Sequence, residues 1–164
     1  MYVFGQVAKN IKGFNFHEET KQILNQDYIQ EVIIDFIQKR LYSKGETADG
    51  TILKTDKATF GSYSTYTEIL KEKKNQITSN VTLKDSGKFY KSFKVEAQKA
   101  FIKISADFEK KNGNMQENFT SQYSNTKAFE DAIIDLNDKE KSIIVEKILL
   151  PDLIKRFLNK SLKY

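Results

Sequence analysis

The feature that most constrains this fold is a long amphipathic pattern over residues 18–43. Apolar side chains recur there in two adjacent rows with a spacing of four residues, as they do on one face of an α-helix. The first row is Leu24, Tyr28, Val32 and Phe36, and the second is Ile29, Ile33, Ile37 and Leu41. Two acidic residues begin the stretch and Lys39 with Arg40 end it, as the helix dipole favours. The pattern predicts one long helix with a buried stripe.

A second helical pattern covers residues 138–162 at the C-terminal end of the sequence. Asn137 with Glu140 three residues later forms a capping box that predicts where this helix begins. Pro151 lacks an N–H group and is expected to kink or split the helix. The residues before Pro151 are apolar nearly all round, which indicates burial on two sides, whereas those after it reduce to one apolar stripe.

The middle of the chain predicts short elements. Thr65 with Glu68 is a capping box for a helix over 66–74, and Asp85 or Ser86 is expected to cap a short helix that ends near residue 93. Apolar residues then alternate with polar ones on both sides of a turn near Lys99, which predicts a hairpin with one buried face. The alternating residues are Phe93, Val95 and Ala97 before the turn and Ile102, Ile104 and Ala106 after it.

Two segments lack a clear periodic pattern. Residues 1–17 are interpreted as an arm, an edge strand or a loop, and the polar stretch 107–126 as a long loop that is mobile or reaches a neighbouring molecule. Together the patterns predict a single α+β domain over residues 1–164. In this fold a long N-terminal helix and a long kinked C-terminal helix pack on a small antiparallel sheet.

The charge and composition bound the function. The chain has 27 Lys and Arg against 22 Asp and Glu, a net charge of +5, but only Arg40 and Arg156 are arginines. Dispersed lysine is typical of a solvated surface, whereas a nucleic-acid groove favours clustered arginine. The chain has no Cys, which excludes disulfides, thiolate catalysis and Cys-based metal sites. No signal-peptide pattern and no apolar run of about 20 residues is visible, so we expect folding in a cytoplasm without a membrane segment.

No catalytic constellation is visible in the sequence. His17 is the only histidine and is expected to be an incidental surface or capping residue, so nucleophilic triads and histidine metal sites lack parts. Asp135-Leu136-Asn137-Asp138 resembles the start of a calcium loop, but Glu140 stands where that loop requires glycine. Glu72-Lys73-Lys74 has a nuclease-like spacing without converging carboxylates. We therefore expect a non-enzymatic protein with no cofactor and no metal.

The segment 88–94 interleaves aromatic residues with lysines, as surfaces that bind single-stranded nucleic acid do. On a helix, however, the aromatic residues share one face and the lysines fall on the other. The aromatics are then expected to pack inward while the lysines are solvated. A basic accessory protein that binds nucleic acid remains the alternative function, and it predicts salt-sensitive DNA binding.

The segment 82–93 (TLKDSGKFYKSF) resembles a motif of head–tail joining and minor tail proteins of tailed bacteriophages. The motif residues here are Leu83, Asp85, Ser86, Gly87, Phe89, Tyr90, Ser92 and Phe93. The upstream segment 61–68 (GSYSTYTE) resembles a companion motif in phages of gut Bacteroidetes, including crAss-like phages, where it also follows a long helix and a glycine-containing turn. The C-terminal helix departs from that family by being longer and more apolar.

The resemblance implies a structural virion protein, a ring homo-oligomer at the head–tail junction that acts as a neck, connector or tail-completion protein. It implies neighbouring portal, connector or tail proteins as partners, possible non-specific contact with DNA, and assembly in the host cytoplasm. Such rings need head-to-tail contacts between two different patches of each subunit. We expect those patches in the loop 107–126 and in the C-terminal helix. In that helix the candidate subunit contacts are Ile143, Ile144, Ile148 and Leu149.

Overall fold

The structure is a computed structural model that describes residues 12–58, 60–98, 101–110 and 113–162. Most of the elements in these ranges are helical. The helices are α1 (Phe16–Leu24), α2 (Asp27–Lys44), α3 (Thr65–Lys73), the single turn α4 (Lys88–Lys91), α5 (Thr126–Ile134), α6 (Asp138–Ile144) and α7 (Leu150–Ser161). A 3₁₀ turn lies at Met115–Asn118, and a π-helical stretch, Val145–Leu149, joins α6 to α7.

The strands are short and form two separate sheets. They are β1 (Lys94–Ala97), β2 (Ile102–Ser105), β3 (Glu109–Lys110) and β4 (Gly113–Asn114). β1 pairs with β2 and β3 pairs with β4, each as a two-stranded antiparallel sheet. The predicted mixture of helix and sheet is therefore confirmed. The predicted hairpin is also present, with Val95 and Ala97 buried on one face of β1.

The chain divides into two compact units. The first contains the described residues of 1–31, 96–103 and 138–164, and the second contains those of 32–95 and 104–137. The division falls inside α2 and inside both strands of the β1–β2 hairpin.

In the first unit, α1 packs against α7 through an aromatic cluster. Asn15 caps α1, because its side-chain oxygen accepts the backbone N–H groups of His17 at 3.1 Å and Glu18 at 3.3 Å. The ring of Phe14 lies 5.2 Å from that of Phe157 and 4.7 Å from that of Phe16, both edge to face. Aromatic pairs at these separations stabilise a contact beyond their area burial. The cluster therefore fixes the start of α1 on α7.

An ionic cluster adds to the same contact between α1 and α7. The Glu19 side chain is buried, and Arg156 Nη1 donates to its Oε2 at 3.0 Å while Lys160 Nζ donates to Oε1. Arg156 also donates to Gln22 Oε1 at 3.0 Å. The hydrogen bonds from Lys160 and then Arg156 hold the pKa of the Glu19 carboxyl below its ordinary value, although burial opposes this shift.

Replacing Glu19 with Gln should therefore lower stability in a pH-dependent way. The folded protein binds the Glu19 proton less tightly than the unfolded chain, so the stabilisation is complete above the unfolded pKa of about 4.3. It is lost as the pH falls through the folded pKa. We expect urea unfolding to separate wild type from Glu19→Gln at pH 7 and to bring them together in acid, below the folded pKa of Glu19.

The exposed neighbour Glu18 supplies the matched control, Glu18→Gln, in the same helical turn. Its unfolding curve should stay close to that of the wild type at both pH values. A gap between wild type and Glu19→Gln that is equally wide at acid and neutral pH would contradict the ionic role of Glu19.

The second unit has an aromatic core. Ring centroids follow one another at separations of 5.1 to 5.9 Å, so the rings form a continuous chain of contacts. The members are Phe89, Phe93, Phe108, Phe119, Tyr123 and Phe129, all of them buried. This core joins α4 and α5 to the segments between them, which contain the short strands and the 3₁₀ turn.

Arg40 on α2 satisfies the end of α5. Its Nη2 donates to the carbonyl oxygens of Ile133 at 3.3 Å and Asp135 at 2.8 Å, and its Nε donates to the Glu46 carbonyl at 3.1 Å. The last carbonyls of a helix have no partner inside the helix, and a cation there also suits the dipole. Arg40 is buried, so this arginine serves the fold.

The predicted long N-terminal helix is interrupted. The structure has two helices, α1 and α2, separated at Asn25 and Gln26, in place of one helix over 18–43. Asn25 has a low helix propensity because its side chain bonds to other backbone groups, and here its Oδ1 accepts the Ala97 N–H at 3.3 Å. Within α2 the expected stripe is confirmed, since all four members of its second row are fully buried. In the other row, Tyr28 is about half exposed.

The C-terminal helix is continuous through Pro151. The backbone widens into the π-helical stretch Val145–Leu149 just before the proline, which then occupies the first turn of α7. Proline provides no N–H and its ring crowds the carbonyl four residues earlier, so a local π turn relieves the conflict. The expected burial on two sides before the proline is wrong: Ile144 is buried, but Val145 and Leu150 are 44% and 47% exposed.

The stretch 107–126 is more ordered than the loop that the sequence predicted. It contains β3, β4 and the 3₁₀ turn, and it contributes buried Phe108, Phe119 and Tyr123 to the core. Helix α5, which follows it, was not predicted. The aromatic residues of this polar stretch are too widely spaced to form a periodic pattern, so the sequence did not predict that they are buried. Of the segment 1–17, residues 1–11 lie outside the described part of the chain.

Phe89 is only 5% exposed and its ring contacts those of both Phe93 and Phe108. Phe89→Ala should lower the free energy of unfolding by about 3–5 kcal/mol, because it removes a large buried ring and leaves a cavity. Phe60, at 85% exposure, provides the matched control, and Phe60→Ala should change stability by less than about 0.5 kcal/mol. Equal melting temperatures for Phe89→Ala and wild type would contradict this placement.

Candidate functional site

The two segments that carry the phage resemblance meet at Thr82. Residues 76–84 form no helix or strand, so the fully buried backbone of Thr82 needs partners from side chains. The Tyr63 hydroxyl accepts the Thr82 N–H at 2.8 Å, and the Tyr90 hydroxyl donates to the Thr82 carbonyl at 2.5 Å. Burial raises the pKa of both tyrosines. Each hydroxyl therefore stays protonated and keeps its hydrogen bond.

Lys71, on α3, lies next to this pair and is itself buried, with 8% exposure. Its Nζ donates to the Lys84 carbonyl at 2.8 Å, to Gln76 Oε1 at 3.2 Å and to Thr82 Oγ1 at 3.3 Å. The ammonium also lies 4.9 Å from the centre of the Tyr63 ring. All of these partners are neutral. Burial consequently lowers the pKa of Lys71, although the charge of Asp85 opposes the shift.

The backbone around Thr82 is tightly constrained. Leu83 has a φ of +53°, a left-handed conformation that is uncommon for a large apolar residue and costs on the order of 1–3 kcal/mol. Gly45 passes so close to this segment that a Cβ atom on it would lie 2.8 Å from the Val81 carbonyl oxygen. Asn80 Nδ2 donates to the Tyr42 carbonyl at 3.1 Å. The segment is thus held by the end of α2 as well as by α3.

A cavity of about 320 Å³ opens beside Lys71. Apolar side chains, including those of Tyr63, Val81 and Phe119, line part of it. The charged residues of its lining are Lys57, Lys71, Lys84, Lys110, Asp56, Asp85 and Glu117. The site therefore combines an apolar wall with a concentration of charge.

Asp56 fastens one wall of the cavity. Its carboxylate accepts the backbone N–H groups of Thr120 at 2.7 Å and Ser121 at 3.0 Å, and also their hydroxyls at 2.6 and 2.5 Å. These hydrogen bonds, above all that of the Ser121 hydroxyl, hold the pKa of the Asp56 carboxyl far below its ordinary range. Asp56 is therefore committed to internal partners.

The phage-like motif residues serve the fold in several ways. Phe89 and Phe93 are buried, as predicted, and Ser92 Oγ donates to the Phe89 carbonyl at 2.7 Å. The same Ser92 oxygen accepts the Asp107 N–H at 2.8 Å. Of the other motif residues, Leu83 is half-buried, Asp85 and Ser86 are exposed, and Tyr90 donates to the Thr82 carbonyl. The last member is Gly87.

The predicted helix caps are shifted. Gly87, with a φ of +82°, occupies the cap position of α4, and Asp85 instead pairs with Lys74. Ser86 Oγ accepts the Lys88 N–H at 3.4 Å. A left-handed cap favours glycine, which explains why the polar residues before it do not take that position. For α3 the cap is Ser64, whose Oγ accepts the Thr67 N–H at 3.4 Å, and the predicted cap at Thr65 is wrong.

The candidate subunit contacts in the C-terminal helix differ in accessibility. Ile144 is buried within the first unit, and Ile143, Ile148 and Leu149 are half-buried. The more exposed apolar residues of the helix lie further on, at a spacing of four, and we call them the C-terminal stripe: Leu150, Ile154, Leu158 and Leu162.

A second exposed apolar face lies on α3, in the second unit. Tyr66 is 72% exposed, and Ile69 and Leu70 follow it at helical spacings of three and four residues. Phe60 precedes the helix and is more exposed still. We call Tyr66, Ile69 and Leu70 the α3 face. Clustered exposed apolar side chains of this size commonly mark interaction surfaces.

The chain matches no known protein-family model, no curated protein and no solved structure. Among the described residues, no helix is long and apolar enough to span a bilayer. The same residues contain no group of three or more His, Asp or Glu side chains placed to hold a metal ion.

Sequence reasoning missed both Lys71 and Tyr63 as members of the site. Lys71 stands in a run of charged residues, and such runs are usually solvated, so nothing in the pattern distinguished it. Tyr63 belongs to the companion motif, and its link to Thr82 depends on a contact across 19 residues. The one signal available was that both motifs occur in the same chain.

Tyr63→Phe should lower the free energy of unfolding by about 1–3 kcal/mol, because it leaves the buried Thr82 N–H without an acceptor. The ring and its packing remain, so the effect isolates the hydroxyl. Tyr66→Phe removes a hydroxyl from an exposed ring and should leave stability within about 0.5 kcal/mol of the wild type. Equal denaturant midpoints for the two variants would show that the hydroxyl of Tyr63 is dispensable.

Proposed function

We propose that this chain is a structural virion protein of a tailed bacteriophage. In this proposal it is one subunit of a ring at the head–tail junction, in the neck, connector or tail-completion layer. Its partners are further copies of itself and the adjacent portal, connector or tail proteins, and it assembles in the host cytoplasm. The observation that carries the proposal is that the two phage-like segments meet at Thr82 and hold one folded site together.

The roles of the motif residues support a scaffold rather than a catalyst. Phe89 and Phe93 fill the core, Tyr90 satisfies a buried carbonyl, and Gly87 permits a left-handed cap. None of these roles requires a reacting group. His17, the only histidine in the sequence, is exposed in the first turn of α1.

The two exposed apolar faces support assembly. A ring needs a head-to-tail contact in which one patch of a subunit meets a different patch of the next. The α3 face lies on the second unit and the C-terminal stripe on the first, so the chain carries two distinct apolar patches. Aromatic and aliphatic anchors of this kind dominate the energetics of protein interfaces.

The use of the arginines weighs against the alternative function, a basic accessory protein that binds nucleic acid. Arg40 is buried and donates to backbone carbonyls, and Arg156 is paired with Glu19. Arginine is the residue that most often contacts the bases and phosphates of nucleic acid, and both arginines here have partners within the chain. The surplus of lysine is compatible with non-specific contact with the DNA that passes through the junction.

The test is the mass of the protein in solution, measured by light scattering over a range of concentration and salt, with and without duplex DNA. We expect a ring-sized oligomer that persists at high salt, because apolar contacts are not screened. Ile154→Glu places a charge in the C-terminal stripe and should dissociate the oligomer. Lys155→Glu is the matched control, since it changes charge at the adjacent exposed position without removing an apolar contact.

A protein that stays monomeric at every concentration and binds duplex DNA more weakly as salt rises would contradict the proposal. That result would favour the accessory-protein function, whose phosphate contacts release counterions. Equal dissociation of the oligomer by Ile154→Glu and Lys155→Glu would show that the C-terminal stripe is not the contact.

A further inference from the structure

The cavity beside Lys71 has the size of a small-ligand site. Its volume of about 320 Å³ corresponds to roughly ten water molecules and lies at the lower end of the range for ligand pockets. Among the apolar residues that line it, Leu83 and Met115 are half-buried and keep surface that a ligand can contact, whereas Tyr63, Val81 and Phe119 are buried. Apolar pockets with a few convergent polar groups are the usual form of a small-molecule site.

The acidic groups of the cavity are already engaged. Asp56 is saturated by the N–H and hydroxyl groups of Thr120 and Ser121. Asp85 is paired with Lys74, and Glu117 is paired with Lys110 at 3.3 Å. Asp85 and Glu117 are thus balanced by lysines, whereas Asp56 is bonded by neutral groups and keeps its negative charge.

Three of the lysines in the lining lack such a partner. Among the described residues, no carboxylate lies within ion-pair distance of Lys57, Lys71 or Lys84. Lys84 lies over the ring of Tyr42, 4.9 Å from its centre, and Lys71 is surrounded by neutral acceptors. With four lysines against three carboxylates, the lining carries a net charge of +1 beside apolar surface, which is complementary to an anion with an apolar body.

Lys71 is the pre-positioned member of the three. Its hydrogen bond to the Lys84 carbonyl, at 2.8 Å, fixes the ammonium, so little entropy is lost when a ligand binds. Its other two contacts, at 3.2 and 3.3 Å, are long compared with the roughly 2.7–2.9 Å typical of charge-assisted pairs. Both are made to side chains, which can rotate to admit a stronger acceptor. The left-handed Leu83 in the same lining is a second sign of a specialised site.

We propose that this cavity binds a small amphipathic carboxylate, a ligand with an apolar or aromatic body of roughly ten non-hydrogen atoms and one anionic head. The carboxylate accepts from Lys71 in place of the Gln76 oxygen, and Lys84 and Lys57 add to the local positive potential. The body packs against Leu83 and Met115, the half-buried apolar residues of the lining. This site is separate from the α3 face and the C-terminal stripe, so it does not depend on the ring.

The test is titration of the ¹⁵N-labelled wild-type protein with 3-phenylpropionate, followed by amide chemical shifts. The matched probe is 3-phenylpropanamide, which has the same shape without the charge. We expect saturable shifts confined to residues that line the cavity, with a Kd of about 1 mM. The amide should bind at least about tenfold more weakly, because it has no negative charge to pair with the Lys71 ammonium.

Variants then assign the anion contact. Lys71→Met keeps an unbranched side chain that is one atom shorter, removes the charge and should weaken binding of 3-phenylpropionate by about tenfold or more. Lys88→Gln, at an exposed lysine outside the cavity lining, is the control and should bind as the wild type does. The comparison of the two probes on the wild type needs no variant, so the test stands even if Lys71→Met fails to fold.

Three results would overturn the proposal. The first is the absence of saturable shifts with 3-phenylpropionate at millimolar concentration. The second is equal affinity for the acid and the amide, which would indicate an apolar cavity without an anion site. The third is a set of shifts outside the cavity lining. Because oligomer size is measured separately, failure here leaves the proposed ring untouched.

Discussion

The backbone of Thr82 is the constraint on which the second unit depends. A buried peptide group outside any helix or strand is costly unless a side chain satisfies it, and here two tyrosine hydroxyls do so from opposite directions along the chain. Tyr63 belongs to the segment before α3, and Tyr90 to the turn that begins the aromatic core. One residue therefore couples the two phage-like segments, the position of Lys71 and the start of the core. Each contact positions the groups that form the others and so lowers the entropy lost in forming them, as expected for a connected polar network.

The sequence predicted the parts of the fold that repeat at short range. The stripe of α2 from Ile29 to Leu41 and the hairpin of β1 and β2 follow from periodicity within the segment, and α3 from a local capping signal. The break at Asn25 was not predictable, because it depends on a contact with Ala97 that is distant along the chain. The aromatic anchors of 107–126 were hidden for a similar reason, since their partners lie in other elements.

The candidate site was less predictable than the fold. Phe89 and Phe93 could be placed inside from helical spacing alone, and both are buried. Lys71 could not be placed there, because the neighbouring lysines at residues 73 and 74 are exposed. Lys71 can be buried because residues 76, 82 and 84 each place an oxygen atom within hydrogen-bonding distance of its ammonium group. Such convergence belongs to tertiary structure and leaves no local trace in the sequence.

The π-helical stretch before Pro151 sets the direction in which the last helix presents its side chains. A π turn holds one more residue than the α-helical turn it replaces, and one residue corresponds to a rotation of about 100°. Without that extra residue, Leu150, Ile154 and Leu158 would point about a quarter-turn away from their present direction, while Phe157 would leave its place against Phe14. The number of residues in 145–149 therefore sets the rotation of α7 about its own axis. A single insertion or deletion there would re-aim the whole C-terminal segment without altering any of its side chains.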